Sequence, residues 1–148
     1  MGKQLSAFNL KVLYNNKLLS VENIFQASKV FEKGGPYIEF LDKKPSEAKK
    51  SELLQNSGEL IGFNFEGMNY PTEPKTAFYD FLYCRILKRN MHLVDEATKF
   101  NIFTDIEFNH DKSFNCQARA LAKFIVLYHN NMLDIVLKNI YSFIDYFN

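Results

Sequence analysis

Apolar and polar positions alternate in some stretches of the chain and recur at helical spacing in others, which divides it into short elements. Leu10 to Tyr14 and Lys17 to Leu19 flank Asn15-Asn16 and read as a hairpin. Ser20 suits an N-cap, and the spacing predicts a helix from Val21 to about Lys33, stopped by Gly34-Gly35. Gly35-Pro36-Tyr37 is a turn carrying an aromatic ring. Pro45 and Ser46 open a short basic helix, Glu47 to about Gln55, that ends near Gly58. Leu60 to Tyr70, broken at Gly67, reads as a second hairpin with Ile61, Phe63 and Phe65 facing inward. Pro74 starts a helix to about Arg89, with Phe78, Leu82 and Ile86 as its buried stripe. A short helix from about Leu93 to Phe100 precedes a strand, Phe103 to Phe108. Ser113 caps a long helix through Tyr128, and an amphipathic helix covers Asp134 to Tyr146. The expected fold is α+β and predominantly helical: a single compact domain over residues 1–148 with one or two small sheets.

Two sets of polar positions interrupt this pattern. On the first helix, Glu22, Gln26 and Lys29 stand at i, i+4 and i+7 and share a face, with Val21, Ile24, Phe25 and Phe31 opposite. Such a stripe is either a solvated surface or a general acid–base with a lysine beside it. The lysine would hold a phosphate or attack a sugar aldehyde. Periodicity alone does not choose. In the Phe103 strand, Asp105 and Glu107 project on one face while Thr104, Ile106 and Phe108 take the other. Two acids so placed can divide acid and base roles at a glycosidic bond, or can line an exposed strand edge. Asn115 and Gln117 begin the next helix, where backbone amides favour an anion. Tyr79, Asp80 and Tyr83 read as surface residues of the helix after Pro74, although Tyr79 and Asp80 could face a pocket.

Composition narrows the chemistry. With 47% hydrophobic and 24% charged residues, the chain falls among ordinary soluble globular proteins. A formal charge of +1 argues against a long nucleic-acid groove but leaves room for a site that grips one nucleotide. Fifteen Phe and eight Tyr supply the core and, in part, stacking surfaces. Cys84 and Cys116 offer neither metal spacing nor a disulfide framework, and both read as buried thiols of a reduced, cytosolic protein. His92, His110 and His129 are spaced for neither a metal site nor a triad, and the expectation is a reaction without metal or cofactor. No Gly-x-Gly-x-x-Gly, P-loop or Gly-x-Ser-x-Gly is present, which removes nucleoside-triphosphate chemistry and serine hydrolysis.

Four blocks together carry a resemblance. They are Ser6-Ala-Phe-Asn-Leu10; Ser20 to Phe31 with Gly34-Gly-Pro-Tyr37; Ala77-Phe-Tyr-Asp-Phe-Leu-Tyr83; and Phe103 to Asn109 with Ser113 to Ala118. The chain resembles the NADAR proteins (the YbiA-like superfamily), and most closely the branch encoded beside DarT-type toxins, which attach ADP-ribose to DNA. It differs from the wider superfamily in having no tryptophan, and His110 stands where this branch carries proline.

The resemblance implies an antitoxin enzyme that removes ADP-ribose from guanine in DNA and has a DarT-type toxin as its counterpart. It maps the family's catalytic acid onto Glu22 and its lysine onto Lys29; Asp105, from the strand reading, is the further catalytic candidate. Phe8 and Asn9 match the superfamily's N-terminal ligand motif, and with Gln26, Gly35, Tyr37, Tyr79, Glu107, Asn109, Asn115 and Gln117 they are the candidate substrate-binding residues. Two alternatives stand beside it: an N-glycosidase for a riboflavin-pathway-like small molecule, and an antitoxin that blocks its toxin by contact alone.

Overall fold

The computed structural model describes residues 4–44, 47, 51–98 and 117–148. The strand reading at Phe103–Phe108, with Asp105, Glu107, Asn109, His110, Ser113, Asn115 and Cys116, lies outside them, as does the start of the basic helix at Pro45 and Ser46.

Strands β1 (Lys11–Tyr14) and β2 (Lys17–Ser20) form the first hairpin, with Val12 opposite Leu19. Its turn places both Asn15 (φ 49°) and Asn16 (φ 64°) in the left-handed region, a conformation asparagine tolerates and tight hairpins require. Helix α1 (Val21–Ser28) follows directly, and β3 (Lys29–Phe31) follows that. A 3-10 turn at Ile38–Asp42 and a short α2 (Glu52–Gln55) lead to β4 (Leu60–Phe65) and β5 (Met68–Tyr70). Helices α3 (Ala77–Lys88), α4 (Met91–Thr98), α5 (Gln117–His129), α6 (Leu133–Val136) and α7 (Ile140–Phe147) complete the described chain. The expected α+β, mostly helical architecture is what forms. Its sheets are the β1–β2 pair and an antiparallel β3-β4-β5 sheet.

The structure departs from the sequence reading at four points. The first helix stops at Ser28, five residues before the expected end, because Lys29 is extended (φ −63°, ψ 131°) and Lys29 and Val30 pair with Phe63 and Gly62 of β4. Pairing across the sheet overrides the local helical spacing. Ile61, expected inward, is 59% exposed. The β3–β4 register shifts there, with Val30 opposite Gly62 and Phe31 opposite Leu60, and the skipped residue turns out of the ladder. Helix α3 begins at Ala77, whose N–H donates to Pro74 O (3.0 Å), so Pro74 precedes the helix instead of opening it. The final helix is two: Asn139 is extended and its Oδ1 accepts from Ser142 N (2.9 Å), capping α7 afresh.

Helix α3 is the centre of the molecule. Phe78, Leu82 and Ile86 are buried as expected, but so are Tyr79, Asp80, Phe81, Tyr83 and Cys84, so the surface reading of Tyr79, Asp80 and Tyr83 is corrected. The helix is covered by α1, α4, α5 and α7, which leaves it little solvent face. Tyr83 reconciles its hydroxyl with burial by donating to Leu5 O (2.5 Å), and burial pushes its pKa up. Burial, reinforced by the nearby Asp80 charge, also holds the Cys84 thiol well above its usual range, which keeps it protonated and inert.

Asp80 survives in this core by pairing. Arg119 of α5 grips it through Nε (3.1 Å) and Nη2 (2.9 Å), and Lys123, one turn further on, adds a contact at 2.8 Å. The carboxylate is fully buried while both cations keep partial access to water. This clamp fixes α5 against α3 and so sets where the N-terminus of α5 stands.

Candidate functional site

The Glu22 stripe is built from both ends of α1. At its start, Ser20 Oγ accepts from Asn23 N (3.1 Å). The first-turn N–H groups of Val21 and Glu22 donate to Leu10 O (3.0 Å) and Ala7 O (2.9 Å). The orphan donors of the helix start are thus met by the N-terminal segment. Ala7 N in turn donates to Gln117 Oε1 (3.1 Å), so one residue ties the first turn of α1 to the first residue of α5. Asn23 Nδ2 donates to Phe40 O (2.8 Å) and Lys43 O (2.6 Å), which anchors the helix on its other side.

Glu22 and Gln26 are 5% and 4% exposed, and this decides against the solvated-face reading. Gln26 Nε2 donates to Glu22 Oε1 at 2.7 Å, an i, i+4 pair sealed inside the protein. Lys29 does not continue the helix as expected, and its ammonium sits over Phe25. It lies 5.0 Å from the centroid of the Phe25 ring, a cation–π distance. Phe25, read from the sequence as opposite Glu22, lies three residues from it on the helix. Its ring meets Tyr79 edge-on at 5.3 Å and packs against Phe63 at 5.5 Å. Glu22 and Gln26 are thus paired on α1 and Lys29 is seated on Phe25, with Tyr79 reached through Phe25 and Gln117 through Ala7.

The far end of α1 is closed by the Gly34-Gly35-Pro36-Tyr37 turn. Phe31 N donates to Gly34 O (2.7 Å), and Tyr37 N donates to Ala27 O (2.8 Å), folding the turn back on the helix C-terminus. Gly35 has φ +102°, and a Cβ there would stand 2.3 Å from the Lys29 carbonyl oxygen. The turn needs glycine both for its backbone and for its closeness to Lys29. Tyr37 is half-buried between Phe31 and Phe40 and hydrogen-bonds to Ser57 through its hydroxyl. It belongs to a small second core with Ala27, Phe40 and Leu54.

Phe8 and Asn9 are exposed, with Asn9 Nδ2 donating to Ser6 Oγ (3.0 Å). Asn9 lines a surface hollow with Lys11, Asn90 and Leu93, on the side of the N-terminal segment next to the start of α4. The four sequence-predicted residues Asp105, Glu107, Asn109 and Asn115 lie outside the described residues. Sequence reasoning missed Phe25 as the seat of the lysine and the Arg119–Asp80–Lys123 clamp. The available signal for the clamp was an acid inside the apolar run Phe78 to Cys84, with two cations four apart further on.

Among the described residues, no group of three His, Cys, Asp or Glu side chains is arranged to hold a metal ion, and no helix is long and apolar enough to cross a membrane. A family model described as DarT1-associated NADAR antitoxin matches residues 1–148. The chain belongs to this family. Its role is accordingly that of an antitoxin tied to a DarT-type toxin. No curated protein matches the chain.

Proposed function

We propose that this NADAR antitoxin works as an enzyme, hydrolysing the bond between ADP-ribose and guanine in DNA and so undoing the product of its DarT-type toxin. The observation that carries the reading is the buried Glu22–Gln26 pair, with the Lys29 ammonium seated on Phe25 of the same helix. Breaking a base–ribose bond builds positive charge on the sugar. A carboxylate beside the anomeric carbon opposes that charge, and serves as the acid or base that moves a proton to the leaving base or from the attacking water. Withdrawal from solvent strengthens that interaction, since less water screens it. Asp105 is proposed as the second carboxylate. Lys29 is proposed to reach the diphosphate or ribose, or to attack the sugar as a Schiff-base nucleophile. Tyr79, Gly35 and Tyr37 would frame the pocket, with Phe8, Asn9, Glu107, Asn109, Asn115 and Gln117 as further substrate contacts.

The test is turnover of an oligonucleotide carrying guanine-linked ADP-ribose by a catalytic amount of protein. Release of many equivalents is expected; release of none would leave an antitoxin acting by contact alone. Because the chain carries a net charge of only +1, free ADP-ribose should compete well and unmodified DNA poorly, with a gentle salt dependence. Plain DNA competing as well as ADP-ribose would make the protein a general DNA binder and defeat the reading.

Lys29 separates two versions of the chemistry. Borohydride added during turnover should trap a covalent adduct only if Lys29 is the nucleophile. Lys29→Arg should then abolish activity, whereas a phosphate contact would be partly spared. Full activity in Lys29→Ala would exclude both roles.

A further inference from the structure

Gln26 presents a buried polar atom that the fold itself does not use. Its side chain is 4% exposed, and Oε1 accepts no hydrogen bond among the described residues. The orientation of the amide is fixed by its neighbour. The amide nitrogen donates to Glu22 Oε1, so the amide oxygen faces away from that carboxylate oxygen. An unpaired buried carbonyl oxygen is costly, and native proteins retain one chiefly where something else satisfies it. Only an N–H or O–H donor can do so.

We infer that Gln26 Oε1 accepts a hydrogen bond from the 2-hydroxyl of the ribose whose anomeric carbon Glu22 serves. The inference rests on the ADP-ribose reading above and gives it an atomic contact. Glu22 and Gln26 are joined head to head, so a ligand group next to one is next to the other. The 2-hydroxyl is the sugar donor nearest the bond that breaks. As charge builds on the ring, that hydroxyl becomes a stronger donor, and a hydrogen bond to it tightens in the transition state. Glu22 Oε1, already bound by Gln26 Nε2, is held in place by the same amide, so Gln26 is a positioning residue for the acid and a contact for the sugar. A ligand lacking the hydroxyl would leave the amide oxygen buried and unpaired, a larger penalty than the loss of an exposed hydrogen bond.

The experiment measures four affinities by calorimetry: ADP-ribose and its analogue lacking the 2-hydroxyl on the terminal ribose, each with the wild-type protein and with Gln26→Met. Methionine matches glutamine in length and accepts hydrogen bonds only weakly, and both ligands meet the same Glu22 within each protein, so the ratio isolates the contact. The wild type is expected to prefer ADP-ribose by about tenfold or more, and Gln26→Met to show a ratio near one. An equal preference in both proteins would place the hydroxyl elsewhere and overturn the inference while leaving the proposed function standing. A wild-type protein that binds both ligands equally would overturn it without any variant. Absence of ADP-ribose binding to the wild type would overturn the proposed function and this inference with it.

Discussion

Glu22→Gln is expected to slow ADP-ribose release by about three orders of magnitude, the range in which a positioned acid or base contributes, while leaving ADP-ribose affinity within a few fold. The two outcomes are separable because of what surrounds the residue. Glutamine keeps the length of the side chain and a comparable helix propensity. Its carbonyl oxygen can still accept from Gln26 Nε2, which now donates to Glu22 Oε1 at 2.7 Å. The backbone bonds of the first turn, from Val21 N and Glu22 N to Leu10 O and Ala7 O, do not involve the side chain. The variant therefore removes the proton-transferring group and its charge but keeps the packing. Single-turnover release from a guanine-linked ADP-ribosyl oligonucleotide reads the first effect, and a titration with ADP-ribose reads the second. Near-normal release would remove Glu22 from the chemistry and pass its role to Asp105. Lost binding together with lost release would make Glu22 a ligand contact first.

The parts of this fold that the sequence revealed are those decided by neighbouring residues. Asn15-Asn16 and Glu66-Gly67 both turn with positive φ at each central position, and each lies between alternating apolar residues, so both hairpins were legible. Ser20 was legible as a cap because its partner, Asn23 N, is three residues away. What stayed hidden depended on distant residues. Nothing local says that Lys29 leaves the helix, because the reason is Phe63 on β4. Nothing local says that Asp80 is buried, because the cations that permit it lie 39 and 43 residues further on. The Glu22 stripe shows the same limit. Its spacing fits a solvated face and a buried pair equally, and only the covering of α1 by the N-terminal segment and α3 separates them.

Gly35→Ala is expected to be the most damaging single substitution away from the polar stripe, and to damage it nonetheless. Its φ of +102° is one that residues with a side chain rarely adopt, and the new Cβ would stand 2.3 Å from Lys29 O and 3.1 Å from Val30 Cα. Both atoms are backbone, so no side chain can rotate aside. Backbone strain and overpacking together should cost roughly 2–5 kcal/mol, which for a chain of this size lowers the melting temperature by about 5–15 °C. Relief requires the turn or the Lys29–Val30 backbone to move, and either displaces the ammonium from its seat on Phe25. Turnover measured well below the melting point should then fall more than stability alone explains. Gly67→Ala is the control. That glycine has a comparable φ of +77° but nothing within 4 Å of its would-be Cβ, so it should lose only the backbone part, roughly 1–2 kcal/mol, and keep its activity. If the two variants melt together and turn over alike, the contact between the turn and Lys29 does not position the site.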